Sequence, residues 1–504
     1  MIMLTKARHC AFAVLFLTQT AVLAQTASSI LPTDSEADII RKAANTVPSP
    51  RQWRWQELEL TAFFHFGINT FTDREWGDGK ENISLFNPSK LDARQWVRTA
   101  RDAGIKQVIL TAKHHDGFCL WPSKYTEHSI RNTPYKNGKG DIVREVADAC
   151  KAYGMGFGIY LSPWDRNSPY YGDSVKYNTL FMEMLTELLT NYGKVDEVWF
   201  DGANGEGPNG RKQVYAFEAW YHLIRRLQPQ AVIAVMGPDV RWVGTESGTG
   251  RLTEWSVVPV NASQQESIAA NSQKDATFAP FGNMMDDDLG SRSKLLAAKG
   301  LIWYPAETDV SIRPGWFYHA SEDAKVRSPE NLLDIYFNSV GRNSVLLLNI
   351  PPDKDGLISE ADIRSLRGWK QDLDATFHTN LAAGAMITSP NGQDAAAMLD
   401  DKPATSWTTT GKDTTATIEF ALSGQKTFDV LLIQENILIG QRVEKFALDY
   451  FDKGGWTTIV EGTTIGYKRL LRFPPVTAAK VRLRILSSRL NPTIAKFGLY
   501  KQTQ

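Results

Sequence analysis

From Leu60 to about Thr379, short apolar and β-branched runs alternate with stretches whose apolar residues recur every three to four positions. That alternation is the pattern of parallel βα units. It predicts strands at Leu60–Phe66, Gln107–Thr111, Gly156–Leu161, Glu197–Phe200, Val232–Met236, Leu301–Tyr304 and Val345–Asn349. An eighth strand is either irregular or hidden within Ser247–Gly300. Helices between them carry end signals. Asp141 opens a helix through Val146 and Ala149 to Tyr153, stopped by Gly154. Ser328 with Pro329 opens another, through Leu332, Leu333, Tyr336 and Val340, ended by Gly341. Trp369–Phe377 reads as a last helix closing the barrel. Beyond Thr379 helical periodicity stops. Strands are expected at Ala416–Phe420, Phe428–Gln434, Lys445–Tyr450, Thr457–Val460, Val481–Ile485 and Ile494–Leu499, separated by polar turns as in a sandwich.

The expected architecture is therefore α/β, a (β/α)8-like TIM barrel followed by an all-β sandwich. Residues 1–24 read as a signal peptide: Lys6 and Arg8 precede the apolar stretch Ala11–Leu23, and Val22-Leu23-Ala24 offers a small-residue cleavage site. The apolar run is too short to span a bilayer, and no later segment is long enough. The expected location is periplasmic or extracellular. Residues 25–52 form a lead-in, 53–379 the barrel and 380–504 the sandwich.

The chain has 56 Lys+Arg and 56 Asp+Glu, so no global field draws it to nucleic acid or an anionic membrane. Its 15 Trp are many for 504 residues; indole stacks on the C–H faces of sugars but also fills barrel cores. Only Cys119 and Cys150 follow the leader, which is no disulfide framework. Asn82-Ile83-Ser84 and Asn261-Ala262-Ser263 fit the glycosylation sequon.

Catalytic groups in a parallel barrel sit where strands end. Here the strand ends read Phe64-His65-Phe66-Gly67, Lys113-His114-His115-Asp116-Gly117-Phe118, Tyr160-Leu161-Ser162-Pro163-Trp164 and Trp199-Phe200-Asp201-Gly202. Together they bring His, Tyr, Trp and a carboxylate to one mouth, a set suited to a small polyhydroxylated ring. A metal site is the other use of paired His, but the carboxylate-rich half of such a site is missing. Asp201 is no helix cap, because Gly202-Ala203-Asn204-Gly205 cannot start a helix.

In these motifs, with Glu75-Trp76 and Leu346-Leu347-Leu348-Asn349-Ile350-Pro351-Pro352, the stretch from Trp53 to Asp353 resembles glycoside hydrolase family 29, the α-L-fucosidases. The resemblance implies retaining removal of terminal α-L-fucose from fucosylated glycans, with no cofactor. By it Asp201 is the nucleophile, and His65, Glu75, Trp76, His114, His115 and Tyr160 line the sugar pocket, with Arg313 and Trp316 as further contacts. Retention needs a second carboxyl about 5–5.5 Å from the first. Glu246, Glu254 and Glu307 are candidates. Arg241-Trp242-Val243-Gly244-Thr245-Glu246 resembles the acid/base segment of the α-1,3/1,4-specific subfamily, with Thr245 where Asn is usual, which implies Glu246. The alternatives are a broad-specificity enzyme that also takes α-1,2 links, and a non-catalytic glycan-binding protein. Ser247–Gly300 is too long for a simple βα connection and is expected to wall the pocket beyond fucose. Ala397–Asp401, Thr405-Ser406-Trp407 and Ala495–Tyr500 resemble a discoidin-like sandwich. Such modules often hold structural Ca²⁺, here at Asp400 and Asp401, or the two are solvated turn carboxylates. With no His after His378, bracing the barrel is as good a role for this module as binding sugar.

Overall fold

A computed structural model of the chain describes residues 28–260 and 286–502. The signal-peptide expectation for residues 1–24 and the sequon at Asn261 lie outside the described residues. Eight parallel strands form the barrel: β1 Leu60–Phe64, β2 Gln107–Lys113, β3 Gly156–Leu161, β4 Glu197–Phe200, β5 Val232–Val235, β6 Arg241–Trp242, β7 Ala306–Ser311 and β8 Ser344–Asn349. Their order is β5-β4-β3-β2-β1-β8-β7-β6, and a parallel bridge between Ala234 and Val240 nearly closes the ring. Both faces of these strands are covered, which is why most of them read as apolar runs.

Two assignments differ from expectation. Gly300–Trp303 lies outside the barrel, in an antiparallel sheet with Val257–Val260 and Ser28–Ser29. The seventh strand is instead β7, whose sequence Ala-Glu-Thr-Asp-Val-Ser carries polar residues on both faces yet is buried throughout. Its Glu307 and Asp309 point into the barrel, where indoles meet them; Thr308 faces out and bonds the Ser344 hydroxyl at 2.5 Å.

The helix Ile142–Tyr153 shows how local chemistry places the elements. Asp141 accepts the Arg144 N–H at 2.9 Å, and Gly154 ends the helix in the left-handed conformation at φ +67°. Ile142, Val143, Val146 and Cys150 form its buried face. Cys119 and Cys150 are separate buried thiols, so no disulfide joins them. Among the described residues no helix is long and apolar enough to cross a membrane.

The sandwich is built around two 20-residue strands, Ala416–Glu435 and Arg469–Ser488, which pair antiparallel with register shifts near Ala421 and Phe428. Phe420 and Phe497 stack in its core with ring centroids 4.0 Å apart. It docks on the end of the barrel where strands begin. Tyr467 N–H donates to Asn343 Oδ1 (2.7 Å), Lys468 pairs with Glu59 (2.5 Å), and Gln441 brackets Glu254 O and Ser256 N (2.9 and 2.8 Å). The mouth at the opposite end stays clear of it. In the Asp400/Asp401 turn, Asp400 accepts from Lys402 N (2.9 Å) and Thr405 Oγ1 (2.9 and 3.0 Å), and Asp401 is paired with Lys496. Among the described residues no group of three or more His, Cys, Asp or Glu side chains is arranged to hold a metal.

Candidate active site

Asp201 follows β4 directly, two residues beyond Trp199 and four beyond Glu197, so all three share the inward face. Its Oδ1 accepts the Ala203 N–H at 2.6 Å, and Oδ2 accepts the Tyr160 hydroxyl at 2.9 Å. Tyr160 is buried, and burial together with the Asp201 charge pushes its phenol well above the usual range. It therefore stays a donor to the carboxylate.

His115 sits 3.8 Å from Asp201, measured from Nε2 to Oδ2. Its Nδ1 lies 2.7 Å from Ser162 Oγ, whose own proton goes to Trp164 O at 2.7 Å. Ser162 must then accept from Nδ1–H, leaving Nε2 as a lone pair at the mouth. His65 is fixed the same way. Asn349 donates its amide N–H groups to Ser311 Oγ (2.9 Å) and Trp316 O (2.7 Å), so its carbonyl accepts from His65 Nδ1–H at 2.8 Å. Burial lowers both imidazoles to about 4, and it lowers His114 well below the usual range, so all three are neutral near pH 7. His114 stacks on Tyr160 with centroids 5.6 Å apart. Neutral imidazoles with lone pairs at the mouth accept hydroxyl protons, as a sugar requires. Trp76, 54% exposed, stands edge-on to His115 and Trp164 at 5.3 and 5.5 Å and offers an open indole face.

Trp316 ties the second side of the mouth together. Its indole N–H donates to Glu246 Oε2 at 3.2 Å, and its backbone N–H to Glu75 Oε2 at 2.7 Å. Glu246 follows the two-residue β6, one strand later than the sequence pattern suggested. Burial raises its pKa, and the charges of Asp201 and Glu75 add to the effect against the Trp316 bond. Glu75 also accepts from Phe317 N (3.1 Å) and His319 Nε2 (2.7 Å), while His319 Nδ1 meets Asp73 at 2.8 Å. Burial disfavours the His319 imidazolium, but its bonds to Asp73 and Glu75 outweigh that and raise its pKa.

The other acid candidates have different partners. Glu254 is buried between Arg241 and Arg251, and Glu307 is deep in the barrel against Trp199. Arg313 is also corrected. Its guanidinium is buried on Asp362 (3.0 Å), Asp323 (2.8 Å) and Ser359 (2.7 Å) and lies 4.5 Å from the Tyr318 ring. It anchors the loop that carries Trp316 and is not presented to a sugar. The described part of Ser247–Gly300 does not wall the mouth either. From Gly248 it runs down past Asn338 to the sandwich at Gln441. His319 carries no sequence signal, and Trp199 and Asn349 lie in motifs the sequence singles out without a role assigned to either side chain.

A cavity of about 880 Å³ also opens at the opposite end of the barrel, lined by Arg54, Lys106, Lys151 and Lys194. It holds none of this constellation.

The Alpha-L-fucosidase family profile matches residues 43–371, and the F5/8 type C domain profile matches residues 382–498. The chain belongs to the α-L-fucosidase family. Alpha-L-fucosidase 1 of Arabidopsis thaliana is 43% identical over 465 residues, covering 90% of this chain and 87% of that one. A candidate α-L-fucosidase from Bacteroides ovatus is 50% identical with TM-score 0.84, covering 95% of this chain and 78% of that one. A family 29 fucosidase from Ruminococcus gnavus, solved in complex with fucose, is 33% identical with TM-score 0.79, covering 96% and 98%. The chain is a glycoside hydrolase, and its substrates are fucosylated glycans.

Proposed function

We propose that the enzyme hydrolyses terminal α-L-fucosides with retention, through an ester between C1 of fucose and Asp201. Glu246 protonates the departing oxygen, then takes a proton from the incoming water. The observation that carries this is the difference between the two carboxyls. Asp201 is held as an acceptor by Tyr160 and the Ala203 N–H, whereas burial and neighbouring charge raise the pKa of Glu246. A carboxylate fixed as an acceptor beside a carboxyl whose protonated form is favoured divides the roles into nucleophile and acid. His65, His114, His115, Tyr160 and Trp76 hold the sugar, Trp316 holds Glu246, and Glu75 holds Trp316. The R. gnavus relative, solved in complex with fucose, supports fucose as the sugar bound. Following release by ¹H NMR tests the stereochemistry: α-L-fucose should appear first and mutarotate, and initial β-L-fucose would sink the mechanism.

The linkage we propose is α-1,3/1,4, supported by the likeness of the Arg241–Glu246 segment to that subfamily. Export to the periplasm or medium is proposed from the leader-like residues 1–24.

A further inference from the structure

Below the mouth, the interior of the barrel contains buried carboxyls that the hydrolytic mechanism does not use, and two of them lie behind Asp201. Glu197 on β4 and Glu307 on β7 are both fully buried. Glu197 Oε2 accepts from Trp55 Nε1 (3.0 Å) and Gln107 Nε2 (2.6 Å). Glu307 Oε1 accepts from Trp199 Nε1 at 2.7 Å, a bond that crosses the barrel from β7 to β4. The remaining oxygens, Glu197 Oε1 and Glu307 Oε2, have no hydrogen-bond donor among the described residues, and the two carboxyls act on each other in the barrel interior. The indole that Glu307 holds stacks on Tyr160, centroids 5.2 Å apart and planes within 17°, and meets the edge of Phe63 at 4.9 Å. Tyr160 in turn donates to Asp201.

We propose that Glu307 is a positioning residue for the nucleophile, setting the Trp199 indole plane that supports Tyr160 and thereby the Asp201 carboxylate. This rests on Asp201 being the nucleophile. Two carboxyls that touch in an apolar interior cannot both ionise, so they share a proton. Glu197, with two further donors, is the better seat for negative charge. Glu307 then carries the proton, donating it to Glu197 while its carbonyl oxygen accepts from Trp199. Burial weakens the acidity of both groups, and Glu197 adds to the effect on Glu307, which keeps the proton in place. A stability role alone explains the pair poorly. A buried acid pair is typically no better for folding than apolar residues of the same volume, whereas it orients an indole N–H as no apolar residue can.

Glutamine at 307 reproduces both bonds: its amide N–H reaches Glu197 and its carbonyl accepts from Trp199. Methionine fills the space and makes neither. The test is the rate at which a 2-fluoro-fucosyl fluoride labels the enzyme, the Asp201 carboxylate attacking C1 as fluoride leaves, with the labelled residue located by mass spectrometry. Glu307→Met should label about 10- to 100-fold more slowly at saturation, the scale of a small misplacement of a reacting group. Its half-saturating reagent concentration should stay within about twofold of wild type, and Glu307→Gln should label within about threefold. Trp199→Phe, which keeps a ring but no N–H, should match Glu307→Met, and the double variant should be no slower than either. A folded Glu307→Met that labels at the wild-type rate overturns the proposal. So does a Gln variant as slow as Met, or losses that multiply in the double variant. If Glu307→Met does not fold, the Gln and Trp199→Phe variants decide. A label on a residue other than Asp201 would instead defeat the assignment of the nucleophile.

Discussion

Trp316 donates its indole N–H to Glu246 at 3.2 Å, so the loop after β7 sets both the orientation and the acidity of the carboxyl proposed as the acid. The bond favours the carboxylate and opposes the upward shift caused by burial and the Asp201 charge. Trp316→Phe removes the donor and should raise the Glu246 pKa further. The protonated acid is the active form, so the alkaline limb of kcat/KM should move to higher pH. A limb that stays put or moves down would show that Glu246 is not the group titrating there.

Glu246→Ala should slow substrates with poor leaving groups severely and spare activated aryl fucosides, which depart with little protonation. Glu254→Ala should not share this pattern. It strips Arg241 and Arg251 of their buried counter-charge and should show as lower stability, by about 3–5 kcal/mol for a broken buried pair. A leaving-group dependence that appears in Glu254→Ala and not in Glu246→Ala would reassign the acid.

Asp201→Ala should abolish turnover while keeping fold and fucose affinity, because the side chain lies at the mouth and outside the packed core. Added azide should restore some cleavage and give a fucosyl azide of inverted configuration. Near-wild-type hydrolysis by this variant removes the covalent mechanism.

His319 should titrate above its ordinary 6.5, measured by NMR of its ring C–H, because Asp73 and Glu75 hold both nitrogens. A group raised in the folded state contributes stability below its unfolded pKa, and loses it as pH rises through the folded value. The clamp on the Trp316 loop should therefore loosen on the alkaline side. Glu75→Gln should lower the His319 value; a His319 that titrates at or below 6.5 contradicts the charged clamp.

How far the chain could be read in advance depended on where each residue finds its partner. Strands β1 to β5 and β8 are buried on both faces and read as apolar runs. β7 did not, because Glu307 and Asp309 face inward to meet indoles from β4 and β6. Leu301–Tyr304 misled for the complementary reason: it is apolar, but pairs outside the barrel with Val257–Val260. The long sandwich strand Ala416–Glu435 reads as two because it passes Ser423-Gly424-Gln425-Lys426 at the register shift. In the site, strand-end His and Asp residues announce themselves by position. His319, Asn349 and Glu307 act through partners more than a hundred residues away, which no local pattern encodes.

Linkage preference depends on what lies beside the fucose pocket. From Gly248 to Val260 the chain leaves the mouth for the sandwich, and residues 261–285 lie outside the described residues. Beside His115 the rim is aromatic: Trp76 and Trp164 stand edge to face 5.5 Å apart, with Trp76 open to solvent. An open indole beside the pocket can stack a sugar that neighbours fucose, and binding energy from that remote ring can align the reacting centre. A Lewis-type trisaccharide with α-1,3 or α-1,4 fucose should then be cleaved faster than 2′-fucosyllactose. It should also exceed its own galactose-lacking disaccharide in kcat and not only in KM. Trp76→Ala should shrink that galactose advantage. If the trisaccharide and disaccharide have equal kcat/KM, or if the α-1,2 link is preferred, the fucosidase assignment stands and the α-1,3/1,4 proposal fails. If the advantage is present but unchanged in Trp76→Ala, the linkage proposal stands and the contact lies elsewhere on the rim.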